Sequence, residues 1–325
     1  MNRRPPPAHA IAIGAQKCAS SWLHDMLAAH PGIARAGRKE LDFFSYHHDR
    51  GHAWYRAQFP RTGLRFENSP SYLHDPRAPG RAHAFDPDAR ILVTLRDPVA
   101  RAWSHHLHEI ATGHIAPQPF ETALRDNPDY LEQGFYARHL APWVARFGAG
   151  RVLVVLTEDI AADPEAQRRR MLDFLGLDPG PPPARLAERR NVSSLPRSAA
   201  LRHALRHCGA AMRGLGLDGA LARLKRTPPL STLRHWNEPH LATRIPPLAE
   251  ETRHALGLHF ADDMRALADL LGTDTLPWDS WRRIADPQTC PSAMNRAAAS
   301  RPAMRLPSAT GWVPSADIQP AGRAT

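Results

Sequence analysis

Residues 11–22, IAIGAQKCASSW, decide the fold that this chain is expected to adopt. The apolar run 11–13 predicts a short strand that ends at Gly14, and residues 20–27 predict the start of an amphipathic helix. The loop between them carries Lys17. Backbone N–H groups at a helix N-terminus have no partners within the helix, so together with Lys17 and two serine hydroxyls they form a site for phosphate or a similar anion. We therefore expect the chemistry of the protein at this loop.

Two other apolar runs predict the rest of the sheet. Residues 90–95 (RILVTL) and 151–156 (RVLVVL) have the β-branched composition of strands buried in the middle of a parallel sheet. Apolar residues recur at helical spacing over 131–147 and 248–271. This alternation of strands and helices predicts an α/β fold, with a mostly parallel sheet that helices cover on both faces.

A second helix start, at Asp97 and Pro98, follows the strand at 90–95. Aspartate favours the N-cap position, and proline favours the first helical position. Helical spacing places Ser104 on the polar face of this helix, together with Asp97 and Arg101, which we expect to form an ion pair. Arg96 lies between this strand and this helix, at the expected carboxyl edge of the sheet.

Composition limits the possible classes of protein. The chain has 325 residues, of which 42% are hydrophobic, enough for a packed core. Its 42 Lys and Arg residues against 32 Asp and Glu residues give a net charge of +10, which favours an anionic ligand, nucleic acid or a membrane surface. The three cysteines have neither disulfide-framework nor zinc-site spacing. No apolar run approaches the roughly 20 residues that span a bilayer, and we expect a soluble cytoplasmic protein.

The domain boundaries are predicted from where the regular spacing of apolar residues begins and ends. We expect residues 1–8 to be a flexible N-terminus, residues 9–284 a single domain, and residues 285–325 a disordered tail rich in Ala, Pro, Ser and Arg. The sequence does not indicate an oligomeric state.

The loop at Gly14 differs from the phosphate loop of nucleotide triphosphatases. In that motif the lysine follows the first glycine by about six residues and comes directly before Ser or Thr. Here Lys17 lies only three positions after Gly14, the second glycine is missing, and Arg96 stands where a magnesium ligand would be expected. These features favour an anion bound without a metal. A nucleotide or small-molecule kinase, and a non-enzymatic basic module that binds anionic glycan or nucleic acid, remain as alternatives.

Three segments together resemble sulfotransferases that use 3′-phosphoadenosine 5′-phosphosulfate (PAPS). They are GAQKCASSWL at 14–23, RKELDFF at 38–44 and LRDPVARAWS at 95–104. The likeness is to the carbohydrate type, which includes the heparan sulfate enzymes and many bacterial enzymes. It extends more weakly to ENSPSYL at 67–73 and NVSSLPRS at 191–198.

The resemblance implies a P-loop-like three-layer sandwich and transfer of a sulfuryl group to a hydroxyl or amine, without a metal. The acceptor would be a carbohydrate or glycosylated metabolite, and no nucleic acid partner is expected. Glu40 would be the general base, and Lys17 would assist departure of the sulfuryl group. The implied PAPS-binding residues are Lys17, Cys18, Ala19, Ser20 and Ser21 at the 5′-phosphosulfate, Arg96 and Ser104 at the 3′-phosphate, and Ser193 and Arg197 in a closing loop.

The sequence departs from the heparan sulfate enzymes at several positions. Cys18 and Ala19 stand where small glycines are usual, Ser45 stands where an acid is frequent, and Asn68 replaces a lysine near the acceptor. Acceptor recognition therefore does not carry over. We expect Cys18 to be a small filler residue rather than a reactive thiol. Rival bases to Glu40 are the histidines at 47, 48, 105 and 106.

Overall fold

A five-stranded parallel sheet forms the centre of the structure. In the computed structural model, which describes residues 7–60, 62–183 and 245–285, the strand order is β2-β3-β1-β4-β5. The strands are β1 (His9–Ala12), β2 (Ile33–Arg35), β3 (Leu64–Asn68), β4 (Arg90–Leu95) and β5 (Val152–Leu156). Every neighbouring pair is parallel. The predicted strand at 90–95 is confirmed to the residue, and those at 11–13 and 151–156 are confirmed with shifts of one or two residues.

Helices cover both faces of this sheet, which confirms the predicted P-loop-like three-layer α/β fold. They are α1 (Ser20–Ala28), α2 (Gly51–Arg56), α3 (Ala78–Phe85), α4 (Pro98–Thr112), α5 (Phe120–Asp126), α6 (Asp129–Glu132), α7 (Tyr136–Phe147), α8 (Thr157–Ala162), α9 (Pro164–Phe174), α10 (Glu250–Leu271) and α11 (Asp279–Ala285). Short 3₁₀ turns lie at His48–Arg50, Pro70–Tyr72 and Ala149–Arg151.

The two faces of the sheet have separate cores because successive strand residues point to opposite sides. Ile11 and Ile91 pack on one side, in a large cluster that includes side chains from α7 and α10. Ala12 and Leu92 pack on the other side, in a smaller cluster with α1 and α9.

The segment predicted as one helix over 131–147 is two helices, α6 and α7. Between them Gly134 lies against the ring of Phe260 in α10, and a Cβ atom at this position would be only 2.6 Å from that ring. The break thus lets α10 approach closely. The predicted helix over 248–271 is confirmed as α10, which begins two residues later.

Asp97 joins the start of α4 to α11. Its Oδ1 accepts hydrogen bonds from the N–H groups of Val99 (2.9 Å) and Ala100 (3.2 Å), as predicted for an N-cap. Its Oδ2 accepts the N–H of Ser280 at 2.9 Å. The predicted ion pair between Asp97 and Arg101 is wrong.

Arg101 is fully buried instead of lying on an exposed polar face. Its guanidinium donates to the backbone carbonyls of Asp129 and Tyr130. Helix α6 covers this part of α4, and helical periodicity alone does not reveal such a neighbour.

Parts of the predicted domain organisation lie outside the described residues. These parts are nearly all of the N-terminus at 1–8, residues 286–325 of the predicted tail and the loop at 191–198. Within the described ranges, no helix is long and apolar enough to cross a bilayer.

Two aspartate caps allow a matched test of the contact between α4 and α11. Asp163 caps α9 through one exposed bond, from the N–H of Ala166 at 2.9 Å. We expect Asp163→Ala to lower the free energy of unfolding by about 1 kcal/mol. Asp97→Ala should lower it by about 2 kcal/mol or more, because the buried N–H of Ser280 also loses its acceptor. Urea unfolding followed by circular dichroism measures both values, and equal losses would show that the Ser280 bond contributes nothing.

Candidate active site

The anion loop, residues 13–19, begins as a continuation of the sheet. The N–H of Ala15 donates to the carbonyl of Thr94 at 2.7 Å, and the N–H of Thr94 donates to the carbonyl of Gly14 at 2.7 Å. Gly14 has φ +142°, and a Cβ atom there would lie 3.0 Å from the carbonyl oxygen of Pro70. Only glycine therefore fits at this turn without strain.

The end of the anion loop has unusual backbone geometry. Lys17 and Ala19 have φ values of 68° and 59°, which non-glycine residues rarely adopt. Ala19 takes this left-handed conformation in spite of its side chain. Helix α1 then starts at Ser20, and no side chain caps it. Its first N–H groups are thus available to an anion, as predicted.

Positive charges converge at this loop. Burial lowers the pKa of the Lys17 ammonium, Glu109 opposes that shift, and the charges of Arg96 and Lys39 lower the pKa further. Among the described residues, neither Lys17 nor Arg96 has a hydrogen bond or an ion pair. Half-buried cations without a direct ion pair are the arrangement that a multiply charged anion would complete.

Arg96 and Ser104 extend this positive region along α4. Arg96 directly follows β4, and its charge also acts on the Cys18 thiol in the anion loop. Ser104 is half-buried, and its hydroxyl has no hydrogen-bond partner within the described part of the chain. It lies six residues after Pro98, about 9 Å along the helix. Arg96 thus lies just before the start of α4, and Ser104 lies almost two turns into it.

The Glu40 carboxylate is connected to the start of α1 by Lys39. The Lys39 ammonium lies 3.3 Å from Glu40 Oε1 and donates to Ser21 Oγ at 2.9 Å. Half of the Glu40 side chain is exposed (49%). A solvent-accessible carboxylate and the predicted anion site therefore share one lysine.

Asn68 is a buried residue that contacts the backbone of two other segments of the site. It is only 1% exposed, so it does not stand in for a lysine that reaches an acceptor. The side-chain NH₂ group of Asn68 donates to the backbone carbonyl of Ser20 at 2.6 Å. The backbone carbonyl of Asn68 accepts the N–H of Glu40 at 3.1 Å. Asn68 thus joins α1 to the segment that carries Glu40. Sequence patterns give no signal for such a contact.

Two residues of α4 near Lys17 were not predicted as site residues. Burial and the Lys17 charge lower the pKa of His108 to about 4, so this imidazole is neutral at pH 7. A hydrogen bond with His105 is the main cause that lowers the pKa of Glu109 to about 2. His108 lies one helical turn after Ser104, and this i, i+4 spacing was the available signal.

The remaining predicted residues fall into two groups. Cys18 is buried, its Sγ is 3.6 Å from the hydroxyl of Tyr136, and burial raises the pKa of the thiol to about 11. This confirms a filler role for its side chain. The rival bases His105 and His106 are also buried. Ser193 and Arg197 lie outside the described residues.

Comparisons with known proteins identify the family of the chain. The profile of the sulfotransferase domain family matches residues 7–194. The chain is 34% identical over 179 residues to mouse heparan sulfate glucosamine 3-O-sulfotransferase 3B1, covering 52% of this chain and 46% of the relative. It is 33% identical over 178 residues to human heparan sulfate glucosamine 3-O-sulfotransferase 6, covering 52% of each. The chain thus spans about half the length of these curated relatives.

A solved structure shows the same fold over a larger part of the chain. The sulfotransferase from Alicyclobacillus acidocaldarius superposes with a TM-score of 0.61 at 22% identity, covering 86% of this chain and 100% of that one. At this identity the likeness concerns the fold. The family profile, in contrast, matches more than half of the 325 residues and includes the anion loop, Glu40, Arg96 and Ser104. The chain therefore belongs to the sulfotransferase domain family.

Proposed function

We propose that this protein transfers a sulfuryl group from PAPS to a hydroxyl or amine of a carbohydrate or glycosylated metabolite. One observation carries the proposal: Lys17 and Arg96, two cations with no direct ion pair among the described residues, converge at the uncapped start of α1. The exposed carboxylate of Glu40 is connected to the same helix through Lys39.

The described residues fit the two ends of the donor. The first N–H groups of α1 and the Lys17 ammonium would hold the 5′-phosphosulfate, with the backbone of residues 18–21 around it. Arg96 and the free hydroxyl of Ser104 would hold the 3′-phosphate. Membership of the sulfotransferase domain family supports this assignment. Ser193 and Arg197 remain predicted contacts.

PAPS supplies an activated sulfuryl group when bound, and the work of the protein is positioning and charge stabilisation. Lys17 would place its ammonium where negative charge grows on the leaving phosphate oxygen. The positive charge of Lys17 would be in place before the reaction, so the surrounding dipoles and solvent would need little reorganisation. Because Arg96 and Lys39 surround it, loss of Lys17 should weaken binding without removing all positive potential.

Glu40 would take the proton from the attacking hydroxyl or amine. Its exposure leaves room for an acceptor, and its ion pair with Lys39 orients the carboxylate toward α1. Proton removal of this kind contributes about 10²–10⁴-fold to a rate. The carboxylate needs no metal for this step.

The acceptor is proposed at the level of its class. The names of the mouse and human relatives identify heparan sulfate glucosamine as their substrate. In this chain the corresponding residues Asn68 and Ser45 are uncharged, and both are buried, so neither presents a charge to an acceptor. We therefore propose a carbohydrate acceptor whose contacts differ from those of the heparan sulfate enzymes.

Nucleotide binding tests the donor site. We expect adenosine 3′,5′-bisphosphate to bind in isothermal titration, and Arg96→Ala to weaken this binding about 10- to 100-fold, the value of a charge-assisted hydrogen bond. Arg96→Ala should weaken adenosine 5′-monophosphate binding much less than binding of the bisphosphate, because the monophosphate lacks the 3′-phosphate and only the long-range charge of Arg96 acts on it. Lys17→Ala should weaken the binding of both ligands.

Arg265→Ala is the matched control, since this arginine pairs with Asp262 on the exposed surface of α10. Tighter binding of ATP with Mg²⁺ than of the bisphosphate would favour a kinase. Binding that survives loss of Lys17 but falls steeply with salt would favour a basic module.

Turnover tests the base. With radiolabelled PAPS and methyl glycosides of glucose and glucosamine as acceptors, Glu40→Gln should lower the transfer rate about 10²–10⁴-fold, because the amide cannot accept the proton. Its affinity for adenosine 3′,5′-bisphosphate should stay normal. Glu250→Gln, at an exposed position of α10, is the control, and near-normal turnover by Glu40→Gln would rule out this residue as the base.

A further inference from the structure

A second carboxylate, Glu67, lies behind the segment that carries Glu40, and the proposed chemistry does not use it. Glu67 stands near the end of β3 and is 2% exposed. Its oxygens accept three hydrogen bonds from hydroxyl groups: Tyr55 at 2.8 Å, Tyr72 at 2.8 Å and Ser69 at 3.0 Å. It has no ion pair among the residues that the structure describes.

Two of these hydroxyls connect Glu67 to the backbone just after Glu40. Ser69 Oγ accepts the N–H of Asp42 at 3.0 Å, and the Tyr72 hydroxyl accepts the N–H of Phe43 at 2.8 Å. A hydroxyl has one proton to donate, and an ionised carboxylate can only accept. Glu67 therefore fixes the direction of both hydroxyls, so that their oxygens face two consecutive amides of the segment.

The base segment, residues 40–43, needs this support because its backbone is strained. Glu40 and Asp42 have φ values of 61° and 51°, in the left-handed region. Each such residue costs on the order of 1–3 kcal/mol and persists only where its surroundings hold it. The base segment is held at Glu40 by the carbonyl of Asn68, and at Asp42 and Phe43 by the hydroxyls that Glu67 orients.

Burying the Glu67 carboxyl is unfavourable in free energy, which indicates that this side chain has a role beyond filling space in the core. Burial raises the pKa of this carboxyl to about 7, with Asp42 adding to the shift and the three hydroxyls opposing it. A buried carboxylate without a cation is costly to keep in a core. An apolar residue would fill the space at lower cost, but it would not orient Ser69 and Tyr72.

We propose that Glu67 is a positioning residue for the general base, acting through Ser69 and Tyr72 to hold the base segment so that Glu40 faces the acceptor. This proposal rests on the proposed function of Glu40. Glu67 itself is fully enclosed and touches neither donor nor acceptor.

Two tyrosines form a matched pair for the test. Tyr55 and Tyr72 each donate one hydrogen bond to the same oxygen of Glu67, and both are buried. Only the Tyr72 hydroxyl also accepts a backbone N–H of the base segment. Tyr55→Phe and Tyr72→Phe therefore remove similar bonds to Glu67, and only Tyr72→Phe releases the segment.

With the same PAPS assay, we expect Tyr72→Phe to lower kcat about 10- to 100-fold, the effect of misplacing a catalytic group by about 1 Å. Tyr55→Phe should change kcat by less than about threefold, and both should bind adenosine 3′,5′-bisphosphate like the wild type. Glu67→Ala should be as slow as Tyr72→Phe or slower. Glu67→Gln should recover part of the rate, because its carbonyl oxygen still accepts from both tyrosines.

The double variant separates a positioning role from a merely structural one. In the Glu40→Gln background, Tyr72→Phe should cause little further loss of kcat, because it acts through Glu40. Equal losses from Tyr55→Phe and Tyr72→Phe, or a full further loss in the Glu40→Gln background, would overturn the positioning role while Glu40→Gln itself remains slow. Near-normal turnover of Glu40→Gln alone would overturn the role of Glu40 and this proposal together.

Discussion

The packing of the anion loop between β3 and β4 is the constraint on which the rest of the site depends. Hydrogen bonds hold the loop on both sides: Ala15 bonds Thr94 at the end of β4, and Leu73 donates to the carbonyl of Ile13 at 2.9 Å from the β3 side. Because the loop cannot move away from the sheet, α1 begins at a fixed point above the carboxyl edge. The cations of the site and the base segment are arranged around that point.

The site combines two kinds of stored free energy. Lys17 and Arg96 are kept near each other without a direct ion pair among the described residues, and their mutual repulsion is unfavourable until an anion binds. The base segment holds Glu40 in a left-handed backbone conformation, which hydrogen bonds from the end of β3 maintain. Both arrangements cost stability in the free protein, and both place charge before the reaction begins. In the proposed reaction, this preorganisation of charge would be the main physical means of lowering the barrier.

Much of this fold follows from sequence patterns, and the exceptions have physical reasons. Strand β4 matches its apolar run because central strands of a parallel sheet are buried on both faces. Strand β2 has only three residues and was not predicted, because so short a run has no clear period. The break between α6 and α7 depends on Phe260, which is distant in the sequence. Arg101 was placed on an exposed face because α6, which covers it, is invisible to helical periodicity.

In the site, too, residues in one continuous stretch of sequence were predicted, and contacts between distant segments were not. Lys17, Ser20 and Ser21 were predicted from one continuous stretch, and the structure places Arg96 near them at the sheet edge. Asn68 contacts the start of α1, and Glu67 contacts the base segment only through Ser69 and Tyr72; no local pattern encodes such contacts. The cofactor half of the site was therefore more predictable than the part that positions Glu40.

A crystal structure with adenosine 3′,5′-bisphosphate tests the central claim most directly. The 5′-phosphate is expected at the first N–H groups of α1 beside Lys17, and the 3′-phosphate is expected on Arg96 and Ser104. Glu40 should then lie on the open side of the 5′-phosphate, where an acceptor can approach. A nucleotide bound elsewhere, or one with its 3′-phosphate in solvent away from Arg96, would contradict the two-phosphate site.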